Sequence, residues 1–95
     1  MSSLTPDQVA LQLDGLPNWS LDGNSLIKTY TFEDFATAVS FMVRVAFFAQ
    51  SLEHYPVWSH DYNVLSVRIG DPSQHAVQSR DVQLAKRMES SLQAL

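Results

Sequence analysis

The stretch FEDFATAVSFMVRVAFFAQSLEHYPVW, residues 32–58, decides the fold. From Phe32 to about Glu53 it holds neither glycine nor proline. Phe35, Ala38, Val39, Met42, Val45, Ala46, Ala49 and Leu52 recur at helical spacing as one apolar stripe. Thr31 is the predicted cap, Glu33 and Asp34 fall in the first turn where the helix dipole favours negative charge, and Pro56 stops the helix. About 21 residues at 1.5 Å each make a helix of roughly 30 Å. Phe41 and Phe48 fall on the flank of the stripe, and Phe47 points almost opposite its centre. Two readings of Phe47 stay open. Either a neighbouring loop covers it, or another chain does, since a helix apolar on more than one side has more than one neighbour.

On either side of this helix the sequence reads as a strand pair. Before it, Trp19–Leu21 and Ser25–Thr31 flank Asp22-Gly23-Asn24, a turn signal because glycine supplies positive φ. In the second run one face is expected to bury Ile27 while the other carries Lys28. After it, Val57–Tyr62 and Val64–Ile69 are extended runs, with Asp61-Tyr62-Asn63 a tight turn or a bulge between them. Gly70-Asp71-Pro72-Ser73 breaks the last strand. A short helix opens the chain from Pro6 to Leu13, with Thr5 as cap and Gln8 completing a capping box. A final helix starts near Ser79, capped by that residue, with Val82, Leu84, Ala85, Met88, Leu92 and Leu95 on its core face. The order α-β-β-α-β-β-α predicts an α+β fold: one four-stranded antiparallel sheet with three helices on one face, in a single domain spanning 1–95.

Composition narrows the function classes. The chain has 95 residues, 45% of them hydrophobic and 17% charged, against about 25% charged in an average soluble domain. Six Lys+Arg against ten Asp+Glu give a net charge of −4, which argues against nucleic-acid or anionic-membrane binding. With no cysteine, thiolate chemistry and disulfides are excluded. No run approaches ~18 consecutive apolar residues and the start MSSLTPDQ does not read as a signal peptide, so the expected location is cytoplasmic.

Few residues remain to carry chemistry. His54, His60 and His75 lack the spacing that places two metal ligands on one element, so no metal is expected. The densest cluster is His54-Tyr55-Pro56-Val57-Trp58, where the long helix meets the third strand. A histidine at such an element end suits general acid–base work near neutral pH, or simply caps a helix C-terminus.

The helix text FMVRVA, the His54-x-Pro56-x-Trp58 block, Tyr62 and the closing SRDVQLAKRME (residues 79–89) resemble the pterin-4a-carbinolamine dehydratase family over about residues 16 to 90. The resemblance implies the same sheet-and-helix fold. It also implies a reaction that removes water from a 4a-hydroxytetrahydropterin to give the quinonoid dihydropterin, without metal or cofactor. Carried over residue by residue, His54 is the catalytic histidine, and Pro56, Trp58, Tyr62 and Asp81 are substrate-binding positions.

The match is incomplete. Gln50 stands where the family has an acid, Tyr55 replaces the second histidine of the His-His-Pro motif, and Pro72 occupies the place of a third. His75 lies only six residues before Asp81, closer than the family spacing, and only a loop shift would bring it into that role. Tyrosine titrates near pH ~10 and histidine near ~6.5. Acid and base groups each contribute ~10²–10⁴-fold in rate, so losing two of three leaves little catalysis. The resemblance therefore points to a degenerate member acting in binding or assembly. It is similar to the α-carboxysome branch of Rubisco assembly factors, with the Rubisco large subunit as client, a carboxysome-associated location and a groove that retains some affinity for pterin. The alternative is an active dehydratase using His54. Family members form dimers or tetramers, and the same is expected here.

Overall fold

Phe35–Leu52 form one continuous helix, α2, flanked by two strand pairs. The computed structural model describes residues 3–93, so the expected contact of Leu95 lies outside the described residues. In chain order the elements are α1 (Pro6–Asp14), β1 (Ser20–Asp22), β2 (Ser25–Thr31), α2 (Phe35–Leu52), β3 (Val57–Asp61), β4 (Val64–Ile69) and α3 (Ser79–Leu92). The strands make a four-stranded antiparallel sheet in the order β1-β2-β4-β3. The expected α+β fold is the one observed.

Register decides which face is buried. Leu26 pairs with Ile69 and Tyr30 with Leu65, while Trp58 pairs with Val67 on the other side of β4. Leu26, Tyr30, Leu65, Val67 and Ile69 face the helices and are buried. Lys28 lies on this same face, so the expectation for β2 is inverted. Ile27 takes the open face and is half-buried, whereas Lys28 turns toward the core. A charge is tolerated there because Lys28 Nζ lies 2.7 Å from Glu89 Oε2 on α3, which also accepts from Tyr30 Oη at 2.6 Å and Trp19 Nε1 at 3.0 Å. Val9 of α1, with Leu16 and Trp19 after it, joins the same core.

Helix α2 starts later and packs at a different rotation than expected. Asp34, not Thr31, is its cap: Asp34 Oδ1 accepts from the Thr37 N–H at 2.7 Å. Its buried line is Ala38, Phe41, Val45 and Ala49. Phe41, placed on the flank by the periodicity, is the fully buried centre, with its ring 4.9 Å from Tyr30 and 5.0 Å from Phe32. Phe35 is displaced outward, half exposed against the His60 ring. Among the described residues no loop covers Phe47, which is 69% exposed beside Val43. Helix α2 is long and apolar enough to cross a bilayer by length and composition, but one of its faces lies in the core of this fold.

The helix ends before Pro56 acts. Glu53 adopts the left-handed conformation (φ 53°), and the His54 N–H returns to Ala49 O at 3.1 Å. Tyr62 (φ 52°) and Asn63 form a tight turn between β3 and β4 rather than a bulge. Helix α3 is capped at Gln78, one residue before the expected Ser79.

Candidate functional site

The left-handed close of α2 projects His54 toward the start of α3, where Asp81 is the third helical residue. His54 Nε2 and Asp81 Oδ1 are 2.5 Å apart. Asp81 is completely buried, and its Oδ2 accepts from the Gln78 N–H at 2.8 Å and from Gln74 Nε2 at 2.9 Å. Three donors thus meet the two oxygens of a fully buried carboxylate in the first turn of α3. An Nε2–H on His54 matches Oδ1 as its acceptor, and in a neutral ring it would leave Nδ1 as the acceptor nitrogen. Arg80, next to Asp81 on α3, lies with Nη1 3.4 Å from the carbonyls of Leu52 and Glu53.

The loop from Gly70 to Gln78 supplies the remaining partners, and it is fastened to the β1–β2 turn. The Asn24 N–H donates to Pro72 O at 3.1 Å, Asn24 Nδ2 to Gln74 O at 2.8 Å, and Gln74 Nε2 to Asn24 O at 2.7 Å. Gly70 (φ 87°) is required: a Cβ there would stand 2.8 Å from Gln74 Nε2 and 3.1 Å from both Asp81 oxygens.

The other expected site residues lie elsewhere. Pro56 and Trp58 line a groove of about 320 Å³ with Ala46, Ala49, Gln50 and Tyr55, and neither His54 nor Asp81 is part of that lining. Tyr62 sits exposed at the β3–β4 turn, beyond the far end of β3 from His54. His75 turns away, lining a separate cleft with Leu4, Val9, Leu13 and Val77 against α1. It is the neighbouring Gln74 that reaches Asp81. Sequence reading passed over Gln74 and Gln78 and took Asn24 only as part of a turn. The Gln78-x-x-Asp81 spacing carries a capping-box signal for Gln78, and nothing local marks Gln74.

Fold and site together define an α+β domain in which a half-buried histidine paired with a fully buried aspartate joins the end of a long helix to the start of another, beside a small groove. The pterin 4 alpha carbinolamine dehydratase family matches residues 2–91, and the chain belongs to that family. A protein of Synechococcus sp. (strain WH7803), named "Putative pterin-4-alpha-carbinolamine dehydratase", is 34% identical over 91 residues, covering 95% of this chain and 98% of that one. A protein of the same name from Opitutus terrae is 39% identical over 87 residues, covering 90% of each chain. The crystal structure of a transcriptional coactivator/pterin dehydratase from Brucella melitensis superposes with a TM-score of 0.86 at 30% identity, covering 95% of this chain and 98% of that one.

Proposed function

We propose that this chain is a dehydratase-fold protein that works by binding and assembly rather than by dehydrating pterins. The observation that carries this reading is the fate of the two missing histidine positions. Tyr55 is 63% exposed on the groove's rim, and Pro72 is held by its carbonyl against the Asn24 N–H in a loop with no slack. His75, the one candidate substitute, faces the cleft against α1. One proton-transfer residue, His54, is left to do work the family divides among three.

Binding has a surface to use. Val39, Val43 and Phe47 form an uncovered apolar line along α2, which supports association between copies into dimers or tetramers, or with a protein client. By likeness to the carboxysome-associated branch, the client is the Rubisco large subunit and the site of action the cytoplasm or the carboxysome. The groove of Gln50, Tyr55, Pro56 and Trp58 keeps room for a residual pterin.

The test is a dehydratase assay on the purified protein. The expected result is a rate indistinguishable from spontaneous dehydration, unchanged by His54→Ala. Turnover above background that disappears in His54→Ala would establish the second reading, an active dehydratase. That reading draws its support from the His54–Asp81 pair. Co-purification from a carboxysome-forming host then tests the client: recovery of the Rubisco large subunit is expected, and its absence would remove Rubisco from the proposal.

A further inference from the structure

The geometry points to Gln74 as the positioning residue of the His54–Asp81 pair: its amide holds one oxygen of Asp81 so that the other is committed to His54. The assignment concerns how the histidine is held, and it stands whether the neighbouring groove turns over a ligand or only binds one.

Asp81 has two oxygens and three donors. Oδ1 faces His54 Nε2, while Oδ2 is shared between the backbone N–H of Gln78 and the side-chain amide of Gln74. The Gln78 N–H is fixed by the start of α3 and would hold Oδ2 alone in any helix with this capping geometry. Gln74 adds the donor from the opposite direction. Its own position is set independently, because Nε2 also donates to Asn24 O and its carbonyl accepts from Asn24 Nδ2. The amide is therefore a bridge from the β1–β2 turn to the buried carboxylate. Gly70 makes room for it, since a Cβ there would enter the space of both Gln74 Nε2 and the Asp81 oxygens.

One consequence follows for His54: with Oδ1 held as acceptor, the neutral ring keeps its proton on Nε2 and presents Nδ1 as its acceptor. The other charged groups flanking the pair are Glu53, adjacent in the chain, and Arg80, next to Asp81 on α3. Neither changes in the test.

The experiment reads the His54 ring nitrogens by NMR in the full chain with the ring neutral, comparing Gln74→Met, which conserves length and removes both amide functions, with the unmodified protein. Asn24→Ala serves as the loop control, because it frees the Gln74 carbonyl without adding a charge and keeps the amide that holds Asp81. The expected result is a single Nε2–H tautomer in the unmodified chain. In Gln74→Met the two tautomers should mix, while Asn24→Ala keeps the Nε2–H form. A single Nε2–H tautomer retained in Gln74→Met would overturn the assignment and reduce Gln74 to a loop anchor. Equal mixing in Gln74→Met and Asn24→Ala would overturn it too. Should Gln74→Met fail to fold, Gln74→Asn supplies the answer: its shorter amide cannot reach Asp81, so the tautomers should mix there as well, and an unchanged Nε2–H form would overturn the assignment.

Discussion

Replacing Glu89 by glutamine tests the buried charge that the β2 register creates. Glu89 Oε2 accepts from Lys28 Nζ, Tyr30 Oη and Trp19 Nε1, and the Lys28 and Glu89 side chains are only 8% and 18% exposed. Glutamine keeps the shape and one acceptor oxygen but removes the charge. A hydrogen bond to a charged group is worth ~1.5–3 kcal/mol and a neutral one ~0.5–1.5, so three bonds lose about 1 kcal/mol each. Water reaches part of Glu89 and Lys28 retains the Pro17 carbonyl at 2.9 Å and the Tyr30 ring at 4.5 Å. The net cost is therefore ~2–4 kcal/mol, near the lower end of what breaking a buried ion pair costs. At roughly 4–8 °C per kcal/mol for a domain of this size, Tm should fall by about 8 °C or more. The pH dependence has a definite sign. Burial pushes the Glu89 carboxyl up, but bonds from Lys28, Tyr30 and Trp19, with the Lys28 charge, outweigh it and hold the group below its ordinary range. Its contribution is then fully present above the unfolded value of ~4.3 and lost as pH falls through the lower folded value. Thermal unfolding followed by tryptophan fluorescence should show a wide gap between Glu89→Gln and the unmodified protein at pH 7, narrowing toward pH 3. A loss below ~1 kcal/mol at pH 7, or a gap independent of pH, would refute the claim that charge at Glu89 holds this cluster together.

Four further outcomes are expected. Phe47→Asp should lower the oligomeric mass in light scattering without changing the circular dichroism of the fold. An unchanged mass would mean that Phe47 plays no part in association. Gly70→Ala forces a side chain into a φ of 87° against Gln74 and Asp81, and should cost ~1–3 kcal/mol in urea unfolding. Asp34→Ala should lower the urea midpoint while Thr31→Ala leaves it in place. Thr37 holds the Asp34 carboxyl below the usual range, so this gap should close in acid. At the alkaline end, burial and then Glu89 push the Tyr30 phenol far above its usual value. Its contribution is complete below ~10 and lost above it, so base titration should lower Tm from there upward, and Tyr30→Phe should flatten that fall.

The fold was legible because turn chemistry and period agreed at most boundaries. Thr5 with Gln8, Gly23 in the first hairpin and the alternation of Leu65, Val67 and Ile69 each signal their element locally, and each is found. The rotation of α2 was not legible, for a physical reason. Its apolar residues surround most of the helix, so hydropathy sets no phase. What fixes the phase is that the aromatic rings of Tyr30 and Phe32 offer a socket to Phe41. The Lys28 face was misread for a related reason. A lysine counts as a solvent marker unless its partner is known, and Glu89 lies 61 residues away on another element.

The site shows the same division between local and distant signal, and it bears on what the proposed non-catalytic reading requires. Motif matching found both His54 and Asp81, but their bond spans 27 residues and depends on the left-handed turn at Glu53. On that reading, the two positions where the resemblance expects further histidines are not equivalent. Tyr55 is exposed on the groove's rim, so Tyr55→His should be accepted with little loss of stability. Pro72 is part of the scaffold. Its carbonyl receives the Asn24 N–H, and Gly23 packs so closely that a Cβ would lie 2.5 Å from that oxygen. A histidine placed at 72 would inherit a backbone tied to the β1–β2 turn, next to a Gln74 already engaged with Asn24 and Asp81. A second histidine at 55 is thus a matter of one surface substitution, whereas one at 72 requires rebuilding a loop. A Tyr55→His variant that gains measurable dehydratase activity would show that the scaffold still positions His54 for that chemistry, and one that gains none would place the obstacle in the 70–78 loop.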